Sequence, residues 1–138
     1  MKIYRYRPVS DAYTTYRAQG EEVNELCTID ESTYISGPDE LPGQPHQITV
    51  EAVALTDEMR EQIKSASPQC QLIYKRMQEK IRAKYCGEDE MYLTRIAVGQ
   101  LMGVYVMQPG EPEAVAEYQL FIESVRQWGK DQRSVYGL

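Results

Sequence analysis

The stretch that decides the fold runs from Ser67 to Gln108, SPQCQLIYKRMQEKIRAKYCGEDEMYLTRIAVGQLMGVYVMQ. Its two halves carry different hydrophobic patterns. Ser67 before Pro68 reads as a helix start: serine caps an orphan amide, and proline fits a first helical position whose N–H has no partner. Ile73, Met77, Ile81 and Tyr85 then recur four apart, with Cys70 on the same side. At helical spacing they form an apolar stripe about 120° wide. Lys75, Arg76, Lys80, Arg82 and Lys84 take the opposite side, with Glu79 among them. Gly87 interrupts the run. Glu88, Asp89 and Glu90 follow, placing negative charge where the dipole of a new helix favours it.

From Met91 to Met107 the apolar residues keep to no single side. Ile96, Ala97, Val98, Leu101, Met102, Val104, Tyr105, Val106 and Met107 surround the axis. Such a helix is expected to be enclosed by others, so the pattern predicts the centre of a core. The dense part is well short of the roughly 20 residues that a membrane span needs. Gly99 and Gly103 each lower helix propensity by about 1 kcal/mol relative to alanine, which predicts another backbone packed closely there.

Working outward towards the C-terminus, Pro109 and Gly110 end this helix and Pro112 starts another, over about Glu113 to Arg133. Its Ala114, Val115, Tyr118, Phe121, Ile122, Val125 and Trp128 fall within about 140° of the wheel. Leu120 lies outside that face and is a candidate for partner contact; Gly137 closes the element. Towards the N-terminus, Thr56 with Asp57 and Glu58 behind it opens a helix in which Met59, Ile63 and Ala66 share a face. Gln47 to Leu55 alternates as a short strand. Gly37 to His46 holds Pro38, Pro42, Gly43 and Pro45, a linker or an ordered extended loop.

Before it, Lys2 to Arg7 alternates as a strand ended by Pro8. Ala12 to Arg17, Val23 to Ile29 and Thr33 to Ser36 are further extended candidates, the last two separated by acidic turn residues. Tyrosines are plentiful here but aliphatic residues are few. This segment is therefore expected to lie along something else: its own helical part, a sister subunit or another protein. The fold class predicted is α+β, with an N-terminal, Tyr-rich, acidic arm of short strands over 1–46. Residues 47–138 then form a short strand and a bundle of about four helices.

The chain has 138 residues and a formal charge of −6. Residues 1–46 hold 4 basic and 8 acidic side chains (net −4), the rest 11 and 13 (net −2). That balance opposes nonspecific binding to nucleic acid. Three widely spaced cysteines suggest neither a disulfide framework nor a zinc site. The opening MKIYRYRP lacks the apolar run of a secretory signal, so synthesis in a reducing cytoplasm is expected.

The one histidine, His46, sits among prolines. A Ser-His-Asp triad or a histidine-activated cysteine would have to use it, and a plain loop histidine is the simpler reading. Glu88 and Glu90 have the chemistry for acid–base work, but clustered acids at a helix start ordinarily form a solvated first turn. No phosphate-cradling glycine motif occurs. No enzyme activity, cofactor or metal is expected. The partner-binding candidates are Tyr4, Tyr6, Tyr13 and Tyr16, the basic face of Lys75, Arg76, Lys80, Arg82 and Lys84, and Leu120. The basic face would dock an acidic surface, either a partner's or Glu21, Glu22, Glu25, Asp30 and Glu31 of a neighbouring copy.

Two stretches carry a resemblance. One is Ser67-Pro68-x-Cys70-x-Leu72-Ile73 leading to Ile81-Arg82-x-x-Tyr85 and Glu88-Asp89-Glu90-Met91. The other is Tyr118-x-x-Phe121-Ile122-Glu123, Trp128-Gly129-x-x-Gln132-Arg133 and the terminal Gly137-Leu138. Together they resemble small proteins encoded by tailed bacteriophages and prophages, often within structural or tail gene blocks. The likeness covers about the last 80 residues and consists of helix-packing patterns. It implies a virion or assembly role at tail, baseplate or fibres, with other phage structural proteins and further copies of the chain as partners and the virion as location. The first 46 residues are expected to add a strand to a neighbour. The alternatives are a tail or fibre assembly chaperone and a phage regulator or anti-defence protein that blocks a host factor.

Overall fold

The computed structural model describes residues 1–138. The fold is α+β: short strands in two sheets precede four helices. Two compact units divide the chain, the first built from residues 1–73 and 131–138 and the second from 74–130. This division differs from the expected boundary at residue 46.

The first unit holds six strands: β1 (Lys2–Tyr6), β2 (Val9–Ser10), β3 (Thr15–Tyr16), β4 (Asn24–Ile29), β5 (Ser32–Gly37) and β6 (Glu51–Ala52). β4, β5, β1 and β6 make one antiparallel sheet in that order, and β2 pairs with β3 in another. β1 is an inner strand, with Tyr4 opposite Ile35 of β5 on one side and Ala52 of β6 on the other. Both of its edges are taken along Tyr4 and Arg5, so the edge strands of this sheet are β4 and β6.

Period-two alternation sends the side chains of β1 to two faces, and both are covered. Ile3 and Tyr34 pack with Leu26, Cys27 and Ile63, flanked by Val53, Leu55, Met59, Tyr136 and Leu138. Tyr4, Tyr6 and Ile35 pack with Ile48, flanked by Tyr16, Ala18, Val23, Leu41 and Val50. A bulge between Glu25 and Cys27 lets consecutive Leu26 and Cys27 join one cluster. The Tyr-rich segment is thus no free arm. It lies along later parts of its own chain, one of the three possibilities its composition left open. Tyr4 and Tyr6 are buried in that packing.

The proline-rich loop is ordered against the same unit. The Tyr4 hydroxyl donates to the Pro38 carbonyl at 2.6 Å, and Gln44 exchanges two hydrogen bonds with the Gln19 backbone at 2.7 and 2.8 Å. Asp30 and Glu31 form the two-residue turn between β4 and β5, both at positive φ (49° and 66°), where hairpins favour asparagine and glycine.

Four helices follow: α1 (Asp57–Ala66), α2 (Pro68–Lys84), α3 (Gly87–Leu101) and α4 (Glu111–Ser134). Thr56 caps α1 by accepting from the Met59 amide at 3.2 Å, and Ser67 separates α1 from α2 as its sequence predicts. The second unit contains α3 and the parts of α2 and α4 within 74–130. Its core is small: Leu93, Ile96 and Tyr118, with Tyr85, Tyr105, Met107, Ala114, Val115 and Ile122 packed around them.

α3 ends six residues before the expected Met107. Gly103 adopts φ 74°, its amide bonds to the Gln100 carbonyl, and the Val104 amide bonds back to that of Gly99. These are the paired bonds of a left-handed helix stop, which only glycine enters without strain. The backbone packing expected at both glycines is not found: a side chain at Gly99 would meet the Tyr105 Cβ at 2.8 Å, and Gly103 has open space around it.

Candidate interaction surface

α3 has one buried stripe, and it is narrow. Leu93 and Ile96 face the core, while Met91, Val98, Leu101 and Met102 stand exposed, Leu101 by 88 %. At 100° per residue, Met91, Arg95, Val98 and Met102 fall within about 60° of one another, opposite Leu93 and Ile96. Val104 and Val106 continue the exposure along the turn after the helix. The expectation of an enclosed core helix therefore fails on its outward side. A hollow of about 810 Å³ runs along this side, bounded by Met91, Thr94, Arg95, Val98 and Met102, with Glu90, Arg82 and Tyr118 at its polar end.

Two polar clusters hold the surface in shape. Arg82 Nη1, in the last turn of α2, meets Glu90 Oε2 at 3.0 Å, and the Tyr118 hydroxyl donates to Glu90 Oε1 at 2.8 Å. Burial, then the Glu90 carboxylate, raises the Tyr118 phenol above its ordinary range. Tyr85 packs edge-on to Tyr118 with ring centroids 5.0 Å apart. The second cluster centres on Glu111 in the first turn of α4, only 8 % exposed. Its carboxylate accepts from the Tyr92 hydroxyl, from the Gln108 amide at 2.6 Å and from the Tyr105 hydroxyl at 2.7 Å. These donors, Tyr92 foremost, hold the carboxyl below its usual range, and the same bonds raise both phenols. The turn between α3 and α4 is thereby pinned, and Val104 and Val106 with it.

The predicted contact residues fare unevenly. Tyr13 is 98 % exposed on the turn joining β2 to β3, and the half-buried Tyr16 donates to Asp11 at 3.0 Å. Tyr4 and Tyr6 are corrected: both serve the first unit's core, so neither is free for a partner. Lys75 and Arg76 stand exposed on α2. Lys80 sits over the Trp128 ring at 4.7 Å, and Lys84 lies over Phe121 at 4.8 Å while pairing with Glu117 at 3.2 Å. Part of the basic face is thus used inside the second unit, against aromatic faces of α4. Leu120 is 73 % exposed, as its place on the wheel predicts.

The candidates for chemistry are dispersed. Glu90 is engaged with Arg82 and Tyr118 while Glu88 is exposed; His46 is exposed on its loop. Cys27 and Cys70 are buried, and burial pushes the Cys27 thiol up to about 11. No group of three or more His, Cys, Asp or Glu converges as a metal-ligand set, and no helix is long and apolar enough to cross a membrane.

The apolar pattern of the sequence places Met91, Val98 and Met102 in the interior, and the structure exposes all three. Glu111 is not among the residues the sequence singles out; its signal is an acid in a first helical turn just after Pro109 and Gly110. No protein-family model, curated protein or solved structure matches this chain.

Proposed function

We propose that this chain is a non-enzymatic protein–protein interaction component that works through the outward side of α3 and the turn after it, within a tailed-bacteriophage particle. The observation that carries the reading is the run of exposed Met91, Val98, Leu101, Met102, Val104 and Val106 on a pinned backbone. Six exposed apolar residues on one helix and the turn after it are more than scattered single side chains, and clustered apolar exposure marks interaction sites. Leaving that much apolar surface in water is unfavourable, and a partner that covers it gains the corresponding hydrophobic free energy. The phage setting comes from the helix-packing motifs of α2 and α4, which make tail, baseplate or fibre proteins the partners.

The test places Val98→Asp with Met102→Asp in the phage or prophage genome that encodes the chain, followed by mass spectrometry of purified particles. The wild-type chain is expected in the particles and the variant is expected to be lost from them, with its circular dichroism unchanged. Equal incorporation of the variant would remove α3 as the docking surface. A wild-type chain bound to a structural protein during morphogenesis yet missing from mature particles would make it an assembly chaperone.

A further inference from the structure

We infer that the first unit carries a binding site for a small phosphate monoester, in the hollow between the end of β1 and the segment leading into β6. The site shares no residue with the α3 surface and does not depend on the docking reading.

The hollow follows from the path of the chain. β6 pairs with β1 only at Tyr4 and Arg5, so beyond Arg5 the two segments are free to part. A turn closed by the Ile48 amide on the Pro45 carbonyl, at 3.3 Å, carries residues 46–48 off the strand path. Between the two segments lies a hollow of about 500 Å³. That is within the roughly 300–1,000 Å³ of small-molecule sites. Its walls are fixed on both sides. Tyr6 and Ile48 are buried in one core cluster, and two N–H groups of Arg5 hold Glu51 Oε1 at 2.6 and 3.1 Å. A site ordered before its ligand arrives loses little conformational entropy on binding.

The lining sets the chemistry of the ligand. Arg5, Arg7, Ser32, Gln47 and Thr49 bring N–H and O–H donors to this one hollow. Its carboxylate, Glu51, is paired with Arg5. Arg7 is exposed and belongs to none of the chain's ion pairs, so its charge is uncompensated. The hollow is thus donor-rich and locally positive on a chain of net charge −6. An anion is its complement, and guanidinium groups grip carboxylate and phosphate alike through paired N–H groups. Here the donors come from three separate segments, at residues 5–7, 32 and 47–49. That ring suits the three terminal oxygens of a phosphate better than the two coplanar oxygens of a carboxylate. Inorganic phosphate would fill only part of the volume. Val9 and Ile48 give the rest an apolar wall, so a monoester with a compact organic group fits.

The test is an amide nitrogen–proton NMR titration of the full chain with phenyl phosphate, inorganic phosphate and benzoate. Phenyl phosphate is expected to saturate one site with a Kd below about 10 mM, moving the amides of Arg7, Ser32 and Thr49 most. Inorganic phosphate and benzoate should each bind about threefold more weakly or worse, since each lacks one half of the recognised group. Arg7→Gln should weaken phenyl phosphate by about tenfold or more, because a charge-assisted pair is lost. Arg17→Gln removes the same charge from an exposed side chain outside the hollow. It should change the Kd by less than about twofold, as a solvent-screened charge does. Circular dichroism on both variants confirms that the fold is intact. Failure to saturate below about 10 mM overturns the site, as does equal weakening by the two variants. Inorganic phosphate binding as tightly as phenyl phosphate overturns the monoester, and benzoate binding as tightly overturns the phosphate.

Discussion

The two units treat their apolar residues differently. In the sheet-bearing unit, strands with period two send side chains to both faces, and α1, the proline-rich loop and the C-terminal residues cover both. In the helical unit, Leu93 and Ile96 of α3 are buried against residues of α4, while Met91, Val98 and Leu101 of the same helix stand exposed. A sheet of four strands with two covers is finished. A helix covered along one narrow stripe leaves apolar side chains exposed. An apolar pattern on several sides of a helix therefore does not by itself show that every side is covered.

The largest expected contrast is in core truncation. Leu26→Ala, at a side chain 1 % exposed, should cost about 2–5 kcal/mol of stability in urea unfolding. Val106→Ala, at an exposed side chain, should stay within about 0.5 kcal/mol. Similar costs at both positions would mean that the second unit is as fully covered as the first. A smaller and more local effect concerns Glu111. Its carboxyl is held below the ordinary range, so its contribution is full above that range and is lost as pH falls through the lowered value. Tyr92 and Tyr105 are raised, so theirs is full below the ordinary phenol range and is lost as pH rises through the raised values. The protection of the Gln108 amide against hydrogen exchange, relative to an unstructured amide at the same pH, should therefore fall on acidification, and Glu111→Gln should abolish that step. Unchanged protection from neutral pH to about pH 3 would show that the turn is held by something else.

Smaller still is the hairpin turn of the first unit. Glu31→Gly should stabilise the chain by about 1 kcal/mol, since a non-glycine residue there occupies the left-handed region. Thermal unfolding reads the change directly. A loss of stability would mean that the Glu31 side chain contributes more than its backbone costs.

Much of this fold was legible from local signals. The Thr56 cap, the Ser67-Pro68 junction, the break at Gly87, the stripe on α4 and the alternation of β1 each depend on a few adjacent residues. The end of α3 was legible too, but a continuing apolar pattern through Met107 hid it. Gly103, in place for a left-handed stop, was the better guide than Pro109. The candidate surface was named residue by residue in the sequence and assigned the wrong environment. Tyr4 and Tyr6 suffered the reverse error, expected outside and found within.

By itself the sequence determined where elements begin and end and which side chains are apolar, because caps, breakers and periodicity act through hydrogen bonds and sterics between near neighbours. Only the tertiary structure decided which of those apolar side chains are covered. Burial depends on how many other elements come within reach, and that number is set by chain topology: enough to close both faces around β1, and too few to close around α3.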